Sequence, residues 1–405
     1  MSKVARIPEL DGLRGIAIGL VIVEHYFIYH SFVPPHTIAS YSQVPFRLAW
    51  TGVDLFFVLS GFLIGGILLD VRESSNFFKV FYARRFFRIV PLYAACLTIF
   101  FLVFALTKVN VAPRFSWMYE GRFSWAPYIL FLQNLWMARW NAVGAFPLAV
   151  TWSLAVEEQF YLTLPILVKS LRPDRLLTIL VAGVVAAPFI RTVLYILRPE
   201  FFFSWFMLMP CRADSLLLGV LGAMFMRSAK CRRWVANKRW VFQYFLFPIL
   251  LVGLTFFSLR AWSPKAFLML SVGYSWLAVF YLSVLLYALL WKSSWTSACL
   301  RLRWLTWLGI IAYGTYLLHE FILGLVFGLI WSGPPALFNL QRLAVALVSC
   351  ILTLLVCKLS WEFFEKPLVQ IGHRWRYLFH SPPALETPKG TANRADPTSQ
   401  HCTPG

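Results

Sequence analysis

Arg14 and His25 stand eleven positions apart in GLRGIAIGLVIVEHYFIYH, residues 12–30. At about 100° per residue, that separation is three helical turns plus roughly 20°. An α-helix therefore presents both on one face, about 16 Å apart along its axis. Arginine is a fixed cation with a planar fork that suits phosphate. Histidine is the side chain best matched to taking a proton from a hydroxyl near neutral pH. The pair reads as an anion anchor at one end of a helix and a general base three turns along it. Glu24, next to His25, points elsewhere on the same helix and has no evident partner in the sequence.

Further titratable groups recur inside apolar runs. TWSLAVEEQFY carries Glu157 and Glu158, neighbours about 100° apart on a helix, so one of them faces any cavity the other does not. YGTYLLHE carries His319, CRADSLLLG carries Arg212 and Asp214, and TGVDLFFVLSGF carries Asp54 with Ser60 as a supporting candidate. FKVFYARRFFRIVPLY brings Arg84, Arg85 and Arg88 together; Arg84 and Arg88 share a helix face and suit bidentate phosphate recognition. Each has a plainer reading. Asp54, Arg212, Asp214 and His319 can pair as interhelical ties, and an arginine cluster can simply fix membrane orientation.

The elements that must position these groups are membrane helices. Of 405 residues, 60% are apolar and 13% are charged, against about 45–50% and about 25% in soluble domains. Apolar runs long enough to cross about 30 Å of hydrocarbon recur along the chain. Without strand alternation, and with no backbone partners offered by lipid, they must be helices. The expected class is an all-α polytopic bundle of about ten spans, at 12–32, 50–70, 89–107, 148–169, 176–194, 205–226, 241–259, 266–290, 305–330 and 343–364. Most of the 37 Lys and Arg then fall in the loops on one side, which by the positive-inside rule puts both termini in the cytoplasm. The net charge of +20 is thus largely topological, and nucleic acid is excluded as a partner. Measured from their inner ends at about 1.5 Å per residue, His25, Glu157, Glu158, His319, Arg212, Asp214 and Asp54 fall within a layer about 8 Å thick. Such groups in lipid must face one another or a wet cavity.

The first run follows several charges and lacks a small-residue cleavage site, so it is expected to be a retained helix. The seven cysteines show no ligand spacing, and no metal site is expected. The outer connection 108–147 is rich in aromatics (Trp117, Tyr119, Trp125, Tyr128, Trp136, Trp140), which suit either sugar stacking or the interfacial belt. Residues 1–370 are expected to form the membrane domain. Residues 371–405, rich in Pro, Ser, Thr and Gly, are expected to form a disordered cytoplasmic tail.

DGLRGIAIGLVIVEHY, GVDLFFVLSGFLI, FYARRFFRIVPLY, TWSLAVEEQFY, RADSLLLG and YGTYLLH occur in this order over residues 8–365. Together they resemble the acyltransferase-3 family of integral membrane acyltransferases. The resemblance implies O-acylation, usually O-acetylation, of an extracytoplasmic or lipid-linked carbohydrate, with cytoplasmic acetyl-CoA as donor co-substrate and no permanently bound cofactor. It also implies essential roles for Arg14 and His25, and a bacterial inner membrane location. Relatives that resemble this chain in size act on surface polysaccharide or lipo-oligosaccharide. Some relatives carry a fused extracytoplasmic hydrolase-like domain; residues 1–405 show none, which leaves either a sufficient membrane domain or an extracytoplasmic partner protein. On this reading Arg14, Arg84, Arg85 and Arg88 hold the donor's phosphates, and His25 is the base, oriented by Glu157 or Glu158, or else the residue that carries an acyl-His intermediate. The competing class is transport of a lipid-linked sugar or small anion, since buried charges also serve proton relays.

Overall fold

The computed structural model describes residues 7–31, 37–110, 112–120 and 124–379. Lys3, Arg6 and residues 380–405 of the expected tail lie outside them. Among the described residues there is no strand; the one β-bridge joins Ser31 to Leu337. The protein is an all-α polytopic membrane protein.

Its principal helices are α1 (Pro8–Val23), α2 (Gly52–Asp70), α3 (Phe77–Lys108), α4 (Trp152–Ser170), α5 (Pro173–Leu197), α6 (Met209–Arg227), α7 (Phe247–Arg260), α8 (Tyr274–Leu290), α9 (Ala312–Trp331), α10 (Leu340–Ser360) and α11 (Lys366–Arg374). Eight stretches are long and apolar enough to cross a membrane on that ground alone. The two expected spans that do not qualify are α1 and α4. These two carry Arg14, Glu24 and His25, and Glu157 and Glu158. Charge lowers their apolarity, and other helices shield them instead.

The expected edges shift where packing overrides hydropathy. The third span starts at Phe77 rather than 89. At 1.5 Å per residue the whole of α3 runs about 48 Å, beyond a hydrocarbon core of about 30 Å. Its first three turns, with the arginine cluster, thus extend past the apolar segment. The ninth span is two helices, Arg303–Ile310 and α9, meeting at Ile311. The expected domain boundary at 370 falls inside α11.

α2 sits at the centre: 72% of the apolar window in its span is buried, against 11% for the span that holds α7. Val185, Phe189, Val252 and Ile351 are among the exposed apolar side chains of the outer helices α5, α7 and α10, the expected lipid-facing surface. α2 and α6 approach closely at Gly61 and Gly219. A Cβ on Gly61 would overlap the Leu216 carbonyl, and one on Gly219 the Val58 carbonyl. Small residues at such crossings let backbones touch where lipid supplies no hydrophobic drive. α1 docks the same way on the Arg303–Ile310 helix, where Gly15 and Gly309 leave no room for a side chain, and Gly12 meets the Leu300 carbonyl just before that helix. Both charged ends of α1 are thereby fixed relative to the bundle.

Candidate active site

α1 ends in a π-helical turn, Glu24–Ile28, in which the Tyr29 N–H reaches back five residues to the Glu24 carbonyl at 2.7 Å. Such widened turns concentrate at functional sites, and this one carries His25. The His25 Nδ1 lies 3.0 Å from the Val21 carbonyl. A carbonyl only accepts, so Nδ1 carries the proton and Nε2 keeps its lone pair. Nε2 faces Glu320 Oε1 at 3.8 Å. The imidazole is 23% exposed, while the Glu320 side chain is 5% exposed, so of the two only His25 is open to a substrate.

His319 stands beside them, its ring centroid 4.9 Å from that of His25. Its Nδ1 donates to the Tyr316 carbonyl at 2.7 Å, and its Nε2 is buried without a partner. Tyr26 fixes the group from the π turn. Its hydroxyl donates to the His319 carbonyl and meets the Thr353 hydroxyl of α10, each at 2.8 Å. Three helices thus hold two imidazoles, each with a free Nε2, against one carboxylate. The ligand-capable atoms of His25, His319 and Glu320 lie within 4.8 Å of one another, a group able to hold a metal ion. Local ligand spacing shows no sign of it, because the residues come from α9 and the distant π turn.

The carboxylate at His25 is therefore Glu320, and the expected partners Glu157 and Glu158 sit elsewhere. Glu157 accepts from the Tyr161 hydroxyl at 3.1 Å, and the Ser60 hydroxyl in turn meets that of Tyr161. Both carboxylates lie in the electrostatic reach of Arg85, whose guanidinium packs over the Phe81 and Tyr161 rings at 6.0 and 5.9 Å. Arg14 joins this inner cluster: it pairs with Asp11 at 2.9 Å and feels Arg88 and Arg85. The basic mouth is thus built by α1 and α3 and backed by the carboxylates of α4. Arg84 departs from the expectation that it acts with Arg88. Its Nε and Nη2 donate to the Trp375 carbonyl, at 3.1 and 2.7 Å.

Asp54, Arg212 and Asp214 also form a separate unit. Arg212 donates to Asp54 at 2.6 Å, and Arg191 of α5 donates to Asp214 at 2.9 Å, with Ser275 completing the second pair. All four charged side chains are fully buried. They tie α2, α5, α6 and α8 together, the interhelical role. Glu24 lies near the Trp50 backbone, and its Oε2 is buried without a hydrogen-bond partner. The aromatics of the outer connection divide as well. Tyr119 packs on Phe100 and Phe104. Trp117 packs on Phe146, which in turn touches His30, while Trp125 and Trp140 are exposed.

The family model described as an acyltransferase domain matches residues 7–362, nearly all of the chain and every group in both clusters. The chain belongs to the acyltransferase-3 family. Within the family, it is 27% identical over 90% of its length to the peptidoglycan O-acetyltransferase OatA of Listeria monocytogenes. It is 27% identical over 91% of its length to the putative peptidoglycan O-acetyltransferase YrhL of Bacillus subtilis. A putative O-acetyltransferase of Staphylococcus aureus matches 42% of the chain at 27% identity. The chain spans about half the length, 56%, of each of the first two relatives. No solved structure matches it significantly.

Proposed function

We propose that this acyltransferase-3 chain is an O-acetyltransferase of the bacterial cytoplasmic membrane. It moves an acetyl group from cytoplasmic acetyl-CoA to a hydroxyl of a carbohydrate on the far side or carried on a lipid. The observation that carries the reading is the open His25 Nε2, freed by the Nδ1–Val21 bond and backed by Glu320. On the same helix, toward the inner mouth, Arg14 stands with Arg85 and Arg88, where a donor's phosphates would be held.

His25 Nε2 takes the proton of the acceptor hydroxyl as that oxygen attacks the thioester carbonyl. The new C–O bond forms, the C–S bond breaks, and the thiolate of coenzyme A takes the proton from the imidazolium. The carboxylate of Glu320 stabilises the imidazolium while it exists. Both relatives named for peptidoglycan support an envelope carbohydrate as acceptor class; a surface polysaccharide or lipo-oligosaccharide belongs to the same class. Exposed Trp125 and Trp140 offer stacking faces on the acceptor side.

Mass spectrometry of envelope glycans tests this. Deleting the gene should remove about 42 Da per acetyl group from one glycan class, and restoring the gene should return it. Glycans of unchanged mass in every class would overturn the assignment.

A further inference from the structure

Residues 375–379 lie across the start of α3 as a short strap. Asn76 Nδ2 donates to the Arg376 carbonyl at 2.9 Å, and its Oδ1 accepts from the Leu378 N–H at 3.0 Å. The Ser75 N–H donates to the Leu378 carbonyl at 2.9 Å. Arg84 clasps the Trp375 carbonyl and packs over the Tyr377 ring at 4.9 Å, and Lys79 lies over Trp375 at 5.4 Å. Gly372 lets the preceding α11 close on Phe87 and Arg84. The strap is thus seated on the basic mouth by both backbone and side-chain bonds.

Two polar atoms beneath it have no partner. The Tyr377 hydroxyl is buried although its residue is only half-buried, and the Arg85 Nε is buried as well. Each is a donor, and Tyr377 lies within the field of both Arg84 and Arg85. Buried donors without partners are costly unless something accepts from them. Two buried donors without partners, in the neighbourhood of Arg84, Arg85 and Arg88, are what an anion seat requires.

We propose that the strap is a wall of the donor site, and that Tyr377 Oη and Arg85 Nε together donate to a phosphate oxygen of coenzyme A. The assignment rests on the donor reading above. It gives Arg84 a positioning role, holding the strap, and leaves Arg85, Arg88 and Arg14 as the cations that face the ligand.

Binding of coenzyme A to the full chain in lipid nanodiscs tests it. Tyr377→Phe keeps the ring and removes only the hydroxyl, and should weaken binding about 5–10-fold. Asn76→Ala, which touches no anion, should weaken it about 2–5-fold by loosening the strap. Arg85→Ala should weaken it by tenfold or more. If the unaltered chain and Arg85→Ala behave so while Tyr377→Phe and Asn76→Ala bind like the unaltered chain, the strap assignment falls and the donor reading stands. If the unaltered chain binds no coenzyme A, both fall.

Discussion

The chemistry proposed for His25 rests on two atoms outside its own ring. The Val21 carbonyl holds the proton on Nδ1, and Glu320 waits 3.8 Å from Nε2. Glu320→Gln keeps the shape and removes the charge that stabilises an imidazolium. It should lower kcat about 10–100-fold with little change in KM for acetyl-CoA; steady-state kinetics with an unchanged kcat would remove Glu320 from the mechanism. The same three side chains have donor atoms close enough for a metal ion. A base needs its lone pair free, so elemental analysis of the purified protein should find far less than one metal ion per chain. A stoichiometric ion would mean that Nε2 is a ligand and the base lies elsewhere. The spacing of Arg14 and His25 was legible because helix geometry is local. That Glu320 completes the pair was not, since nothing in YGTYLLHE tells which distant span its carboxylate meets. Its one signal was a second titratable residue beside His319 in an apolar run.

At the scale of elements, the buried pairs Arg212–Asp54 and Arg191–Asp214 hold four helices in register. Removing one member leaves a desolvated charge, so Asp54→Asn should destabilise by about 3–5 kcal/mol. Adding Arg212→Met should recover much of that loss. Thermal unfolding in detergent measures both; equal stability of Asp54→Asn and the unaltered protein would contradict the interhelical role. Asp54, Arg212 and Asp214 were visible in the sequence as members of one layer, yet sequence alone could not sort them from the His25 group, and Arg191 was not among them. Depth is set by position along each helix, whereas partnership depends on how α2, α5, α6 and α8 rotate against one another. The early start of α3 was hidden for a different reason: FFKVFYARRFFR mixes arginine with aromatics, so hydropathy ends where the helix does not.

For the whole molecule, the ten-span reading divides the chain between two faces. The orientation expected from loop charge would put the segment around Cys231, exposed on the short helix Ala229–Ala236, on the cytoplasmic side. In a Cys402→Ser background, a membrane-impermeant maleimide should label Cys231 in inverted vesicles and leave it unlabelled in intact cells. The opposite pattern would invert the topology and put the basic mouth on the wrong side for a cytoplasmic donor. With that orientation, the inner arginines and the deeper His25 lie along one route across the membrane. The most direct measurement is therefore acetyl transfer from acetyl-CoA to envelope glycan by purified, folded protein carrying His25→Ala. The account predicts loss of at least about 10³-fold in turnover with coenzyme A binding retained; full activity in that variant would contradict it.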